Sequence, residues 1–127
     1  MSNTSQQFRI FHIGYDPMLL HLREMLLIQN GFAVTSVCGN AEARRLLAQE
    51  APFDAFLVGW STTYDQREAI VHWLKQRWPK IPVIAIRDWF QNAIPGADLT
   101  ATHNTPEEWL VAVQTATRNI GGADASA

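Results

Sequence analysis

The stretch Phe53-Asp54-Ala55-Phe56-Leu57-Val58-Gly59 constrains what this chain can fold into more than any other. It is a short, nearly continuous apolar run, bounded by Pro52 before it and by Ser61, Thr62 and Thr63 after it. Such runs are strands buried on both faces, as in parallel sheets covered by helices. Helical patterns flank it on either side, which makes it the central strand of an alternating β/α domain. In open sheets of that class the working site lies beyond the carboxyl ends of the strands. Gly59-Trp60 therefore occupies the place where chemistry is expected, and Gly59 has no side chain with which to perform any.

The rest of the chain supplies the flanking elements. Residues 1–7 form a polar leader, expected to be flexible. Phe8-Arg9-Ile10-Phe11-His12-Ile13 is a first strand, with His12 expected as a hydrogen-bonded interior histidine because no second ligand is spaced to join it. After Gly14-Tyr15, Asp16-Pro17 opens a helix with an N-cap and a proline at the first helical position. Met18, Leu19, Leu22, Met25 and Leu26 then recur at helical spacing, and Asn30-Gly31 ends the element. Residues 32–38 form a second strand, in which Cys38 is expected to be buried, and Asn40 is expected to cap a second helix carrying Ala43, Leu46 and Leu47 inward.

After the central strand, Asp65 to Trp78 is a third helix with Ala69, Ile70, Trp73 and Leu74 as its apolar face, ended by Pro79. Ile81 to Ile86 is a fourth strand. Residues 87–96 leave room for one or two helical turns at most, since Pro95 closes the segment. A short fifth strand lies near Asp98 to Ala101. Thr105-Pro106-Glu107-Glu108 combines a cap, a proline and a Thr-x-x-Glu box at the start of a last helix. Trp109, Val113 and Ala116 follow at helical spacing, and Gly121-Gly122 is its expected end. Residues 8–120 thus make one domain, and 121–127 a flexible tail or linker.

Composition narrows the function classes. The chain has 127 residues, enough for one real core, and is 47% hydrophobic, as suits a globular protein. A net charge of -2 with 10 basic residues offers no electrostatic footprint for nucleic acid or an anionic membrane. A single cysteine excludes a disulfide framework or a multi-cysteine metal site within one chain. No apolar run reaches membrane-spanning length and no signal-peptide pattern opens the chain, so it reads as cytoplasmic.

The order of elements, together with several local matches, resembles the receiver domain of two-component response regulators. The matches are the first strand entering Asp16-Pro17, Phe53-Asp54 leading the central strand, and Trp78-Pro79-Lys80-Ile81-Pro82-Val83-Ile84. Gly96-Ala97-Asp98 and Thr105-Pro106-Glu107-Glu108-Trp109-Leu110 complete the set. The resemblance covers roughly Phe8 to Asn119. It implies a flavodoxin-like, doubly wound α/β fold: a five-stranded parallel sheet of order 2-1-3-4-5, here with a shortened fourth helix.

Receiver chemistry needs an acceptor aspartate after strand three and an acidic pair after strand one that holds Mg²⁺. It also needs a hydroxyl after strand four and a lysine after strand five. Carried onto this chain, the acceptor position is Gly59, the acidic pair Gly14 and Tyr15, the hydroxyl position Arg87 and the lysine position Thr102. All five are lost. Asp16 and Asp54 match flanking acidic positions instead. The resemblance therefore implies a degenerate pocket of Gly14, Tyr15, Asp16, Gly59, Trp60, Arg87 and Thr102, with no catalytic residue, metal or cofactor.

The expected function is a phosphorylation-independent pseudo-receiver acting through protein partners in a signalling pathway or through self-association, with no nucleic acid or membrane partner. The candidate partner face is Trp89 and Phe90 in the abbreviated segment, beside Trp109 of the last helix, because large exposed aromatics anchor interfaces. Arg87 either stands in as a cation near the empty site or pairs with Asp16 or Asp54. A second class is a sensor that binds an anion or flat heterocycle at the strand ends, between Tyr15, Trp60 and Arg87. There the opposing expectation is that Tyr15 and Trp60 fill the vacated pocket. An enzyme is the weakest class, since no histidine or carboxylate is spaced to activate Ser61, Thr62 or Thr63. His21, His72 and His103 are expected at the surface.

Overall fold

A computed structural model describes residues 7–49 and 53–126, so most of the leader, and Pro52, lie outside the described residues. The elements are β1 (Arg9–Gly14), α1 (Pro17–Gln29), β2 (Ala33–Cys38), α2 (Asn40–Leu47), β3 (Ala55–Val58), α3 (Tyr64–Arg77), β4 (Val83–Arg87), β5 (Leu99–Thr102) and α4 (Pro106–Ser126). All neighbouring strands pair in parallel, in the order β2-β1-β3-β4-β5. This is the expected doubly wound sheet.

Strict alternation along the strands builds two cores. Phe11, Ile13, Phe56, Val58, Val83 and Ala85 face α2 and α3, meeting Leu47, Val71 and Leu74. Ile10, Leu57, Ile84 and Ile86 face the other way, toward Leu27 of α1 and Trp109 and Val113 of α4. Because successive side chains of a strand point to opposite faces, each strand must be apolar on both. The order reverses between β1 and β3, so the crevice of the fold opens where Gly14-Tyr15 and Gly59-Trp60 leave the sheet.

Several local signals operate as expected. Asp16 Oδ1 accepts from the Met18 and Leu19 amides at 2.9 and 3.2 Å, and Gly31, at φ 91°, ends α1 in a conformation that side chains disfavour. His12 is fully buried, as anticipated. An arginine can only donate, so Arg23 Nη1, 3.3 Å away, makes Nε2 the acceptor and leaves Nδ1–H facing Ser36 Oγ at 3.4 Å.

Other expectations are corrected. In α1 the inward residues are Arg23 and Leu27, with Leu20 half-buried, whereas Met18 and Leu22 are 73% and 51% exposed and Met25 is also exposed. Two overlapping stripes run along this helix, and the one that turns inward contains an arginine, whose long stem can lie in apolar surroundings while its head reaches a polar partner. In α3 the buried set is Arg67, Ile70, Val71 and Leu74; Ala69 is exposed and Trp73 half-buried. Asn40 does not cap α2. Gly39 precedes that helix without a side-chain cap, and Asn40 instead accepts from Tyr15 Oη at 2.6 Å and donates to Gln66. Cys38 is exposed because it ends an edge strand with its side chain opposite the buried Val37.

The shortened fourth helix is absent altogether: among the described residues no helix separates β4 from β5. Pro95 and Gly96, the latter at φ 92°, break any helical run, and local bonds around Asp88 and Gln91 fold the segment as turns. The backbone of α4 continues helical through Gly121-Gly122 to Ser126. Two glycines raise the cost of a helix by about 1 kcal/mol each without forbidding it.

Burial and the neighbouring Arg23 charge lower the His12 pKa to about 3, from an ordinary 6.5. The unfolded chain therefore takes up a proton near pH 6.5 that the folded chain refuses until about pH 3. Stability resting on the neutral ring is complete above pH 6.5 and is lost as the pH falls toward 3. Lowering the pH from 7.5 to 5 should cost about 2 kcal/mol through this residue. Denaturant titrations of the native chain and His12→Gln at both pH values check it; an equal pH dependence in the two proteins would disprove the assignment.

Candidate functional site

Two glycines form the floor of the crevice. Gly14 ends β1 and Gly59 follows β3, with the Gly59 amide donating to Ile13 O at 2.8 Å. Neither position is vacant space. A Cβ built on Gly14 would lie 2.5 Å from Leu20 Cδ1, and one on Gly59 would lie 2.9 Å from Arg23 Nη1. The residue standing over the acceptor position is thus Arg23, which arrives from α1.

The two aromatic residues beside the glycines diverge. Tyr15 packs against the core on the α2–α3 side, its hydroxyl fixed by Asn40, and burial raises its pKa well above the ordinary phenol range. Trp60 packs against the core on the α1–α4 side. They do not face one another across a single cavity, so the expected ligand pocket between Tyr15, Trp60 and Arg87 is not formed. The alternative expectation for Tyr15, that it fills apolar space, describes what it does.

The remaining candidate residues are held by local bonds. Asp16 caps α1, and Asp54 Oδ2 accepts from the Arg9 amide at 2.7 Å. Arg87 pairs with neither. Its Nη1 donates to the carbonyls of Asp88, Trp89 and Gln91 at 3.4, 3.2 and 2.8 Å, tying down the turn that replaces a helix. Thr102 donates from its amide and its hydroxyl to Glu108, 2.9 Å in each case. These bonds hold the Glu108 carboxyl below its usual range. Glu108 thereby closes the start of α4 from β5. Thr63 caps α3 through the Gln66 amide at 3.2 Å, so its hydroxyl too has a structural partner.

Two residues the sequence reading passed over dominate the electrostatics. Arg23 is 5% exposed and Arg67 is 1% exposed, one on each side of the sheet. Arg67 Nη2 donates to Ile86 O at 2.8 Å, while its Nε and Nη1 have no partner among the described residues, nor does Arg23 Nη2. Each such buried orphan donor costs about 1–3 kcal/mol. Burial lowers the Arg23 pKa to about 10, against the favourable field of Asp16, so the group remains a cation at neutral pH. Burial also lowers the Arg67 pKa. The signal for both was present in the sequence: each arginine falls in an i, i+3/i+4 apolar series, Leu20-Arg23-Leu27 and Arg67-Ile70-Val71-Leu74.

His103 departs from the expectation of a surface position. It is half-buried rather than at the surface, stacked on Trp60 with ring centroids 4.2 Å apart and lying 3.1 Å from Asp88 Oδ1. His21 and His72 are exposed as expected. Trp89 and Phe90 are 72% and 65% exposed and meet edge to face at 5.9 Å, so neither folds back over the sheet. Trp109, by contrast, is 2% exposed and belongs to the core. It cannot belong to the partner face, because its position on α4 turns it toward β3 and β4 rather than outward.

No family model matches the chain, and no curated protein is significantly similar to it in sequence. Solved structures match it in fold. A receiver domain protein from Clostridium thermocellum superposes with TM-score 0.79 at 19% identity, covering 90% of this chain and 97% of its own. The receiver domain of the Francisella response regulator 1452 gives 0.77 at 16% identity, covering 90% and 99%. The fold is that of a receiver domain. A third, TM-score 0.73 at 12% identity with 87% and 98% coverage, comes from a complex of the histidine kinase ThkA with the response regulator TrrA. At these identities the likeness speaks for architecture, and the receiver fold puts Gly59 and Arg23 at the centre of the carboxyl-end crevice.

Gly59→Asp tests the crevice directly. The new side chain meets the movable end of Arg23, so the protein should fold and its carboxylate should pair with that guanidinium. With glycine and tyrosine at 14 and 15 and threonine at 102, no phospho-adduct should form with acetyl phosphate and Mg²⁺. Intact-mass spectrometry showing stoichiometric phosphorylation of this single variant would overturn the reading.

Proposed function

We propose that this receiver-fold chain is a signalling module that neither accepts a phosphoryl group nor catalyses a reaction, and that it works by binding other proteins. The observation that carries the reading is Arg23 Nη1 standing over Gly59, where a carboxylate would otherwise point. A guanidinium there supplies permanently the positive charge that Mg²⁺ supplies transiently in a phosphorylated site, and it holds no exchangeable ligand position. Arg87 and Thr102 are engaged in turn and capping contacts, so neither side chain is free to contact a phosphoryl group. Tethering those side chains also suits a domain held in one state.

The surface that would bind is the β4–β5 connection. Arg87 fixes its backbone from beneath, Gln91 donates to Trp60 O at 3.2 Å, and Trp89 and Phe90 project from it as an exposed aromatic pair. A rigid turn presenting two large aromatics suits an interface anchor, since little conformational freedom is lost on binding. The ThkA–TrrA complex offers an example of a chain with this fold docked on a kinase, and a protein partner of that signalling class is the one we favour.

Two measurements bear on this reading. Native protein treated with acetyl phosphate and Mg²⁺ should remain at its unmodified mass, and a phospho-adduct would refute phosphorylation independence. Trp89→Ala with Phe90→Ala should abolish partner capture or self-association while the melting temperature stays within a few degrees of native. A large fall in melting temperature with association preserved would instead assign the pair a packing role.

A further inference from the structure

A groove of about 300 Å³ opens between α1 and α4, beside the crevice just described, with Arg23 and Trp60 at the boundary between them. Its walls are apolar: Leu22, Met25 and Leu26 come from α1 and Trp109 from α4. Arg23 and Trp60 line the same space. Both carry a buried donor with no partner among the described residues, Nη2 of Arg23 and Nε1 of Trp60. Buried donors in native proteins are nearly always satisfied, and both of these orphans belong to side chains that line this one cavity, which points to an acceptor supplied from it. The nearby groups do not supply it. Arg23 Nη1 is taken by the neutral His12, and Asp16 directs its Oδ1 to the amides of Met18 and Leu19.

We propose that this groove binds a single-chain amphiphile with a carboxylate head, the head accepting hydrogen bonds from Arg23 Nη2 and Trp60 Nε1 and the alkyl tail lying along Leu22, Met25, Leu26 and Trp109. A guanidinium that remains cationic in an apolar cleft favours an anion over a neutral head, and a carboxylate offers two acceptors for two donors. The tail is required because nearly all the remaining lining is hydrocarbon. A bare anion would leave that surface wet. Methionine suits a tail of variable length, since its unbranched side chain adapts to the shape it meets. The exposed Leu22 and Met25 form the outer lip, which accounts for an apolar outer face on α1 that no element of the described chain covers. The site uses neither Trp89 nor Phe90 and needs no phosphorylation, so its test can fail while the proposed function stands.

Decanoate, decanol, decyltrimethylammonium and acetate, each titrated into the full chain below its aggregation concentration, decide the matter. Trp60 fluorescence and the melting temperature are the readouts. Decanoate should bind saturably and raise the melting temperature, with decanol at least ten-fold weaker and the other two without effect. Arg23→Met, which removes the cation and keeps an unbranched apolar stem, should erase the preference of decanoate over decanol. Leu22→Asp, at an exposed position that leaves the core intact, should weaken decanoate at least ten-fold and guards against misfolding of the first variant. No saturable decanoate binding, equal affinity for decanoate and decanol in the native protein, or unchanged decanoate binding in Leu22→Asp would each overturn the proposal.

Discussion

β3 pairs with β1 on one side and β4 on the other while Phe56 and Val58 face one helical layer and Ala55 and Leu57 the other. Every other element takes its place from this double burial. A strand hydrogen-bonded on both edges and covered on both faces has no tolerance for polar side chains, which is why its four residues are fully apolar. Pairing continues one residue past the strand through the Gly59 amide, fixing the floor of the crevice to within the precision of a hydrogen bond. The two helical layers can then deliver side chains to that floor from opposite sides.

What they deliver is two guanidinium groups. Arg23 rises from α1 and Arg67 from α3, and the parallel sheet presents the amino ends of its helices at the same edge. Helix dipoles and Arg23 thus add positive potential beside Gly59, whereas the resemblance to receivers leads one to expect carboxylates there. Neutral His12 lets Arg23 lie against β1 without a second charge, and Ile86 O anchors Arg67.

The connection between β4 and β5 shows the same exchange of a generic element for a local one. A helix there would have covered its aromatics. Arg87 gathers three carbonyls into a turn instead, and Trp89 and Phe90 are left at the surface. The Trp60–His103–Asp88 contact links this turn to the end of β5 and to the groove beside α1. The fold's two unusual surfaces therefore share a wall, although each is built from different side chains.

The strands, two of the helix starts and the glycine that follows β3 were legible in the chain alone, because each depends on short-range chemistry, whereas the strand order came only from the resemblance. Two-sided apolar runs specify buried parallel strands, Asp16-Pro17 and Thr105-Pro106 specify helix starts, and Gly59 can carry no functional group. The rotation of α1 about its axis was not legible. Its sequence holds two overlapping stripes, and only the position of His12 in the sheet, reached by Arg23, makes the arginine-bearing stripe the inner one. For the same reason Trp109, expected at the partner face, is seen to be a core residue only once β3 and β4 are in place against α4. Periodicity tells which residues share a face; which face turns inward depends on partners distant in the chain, and those the tertiary structure alone supplies.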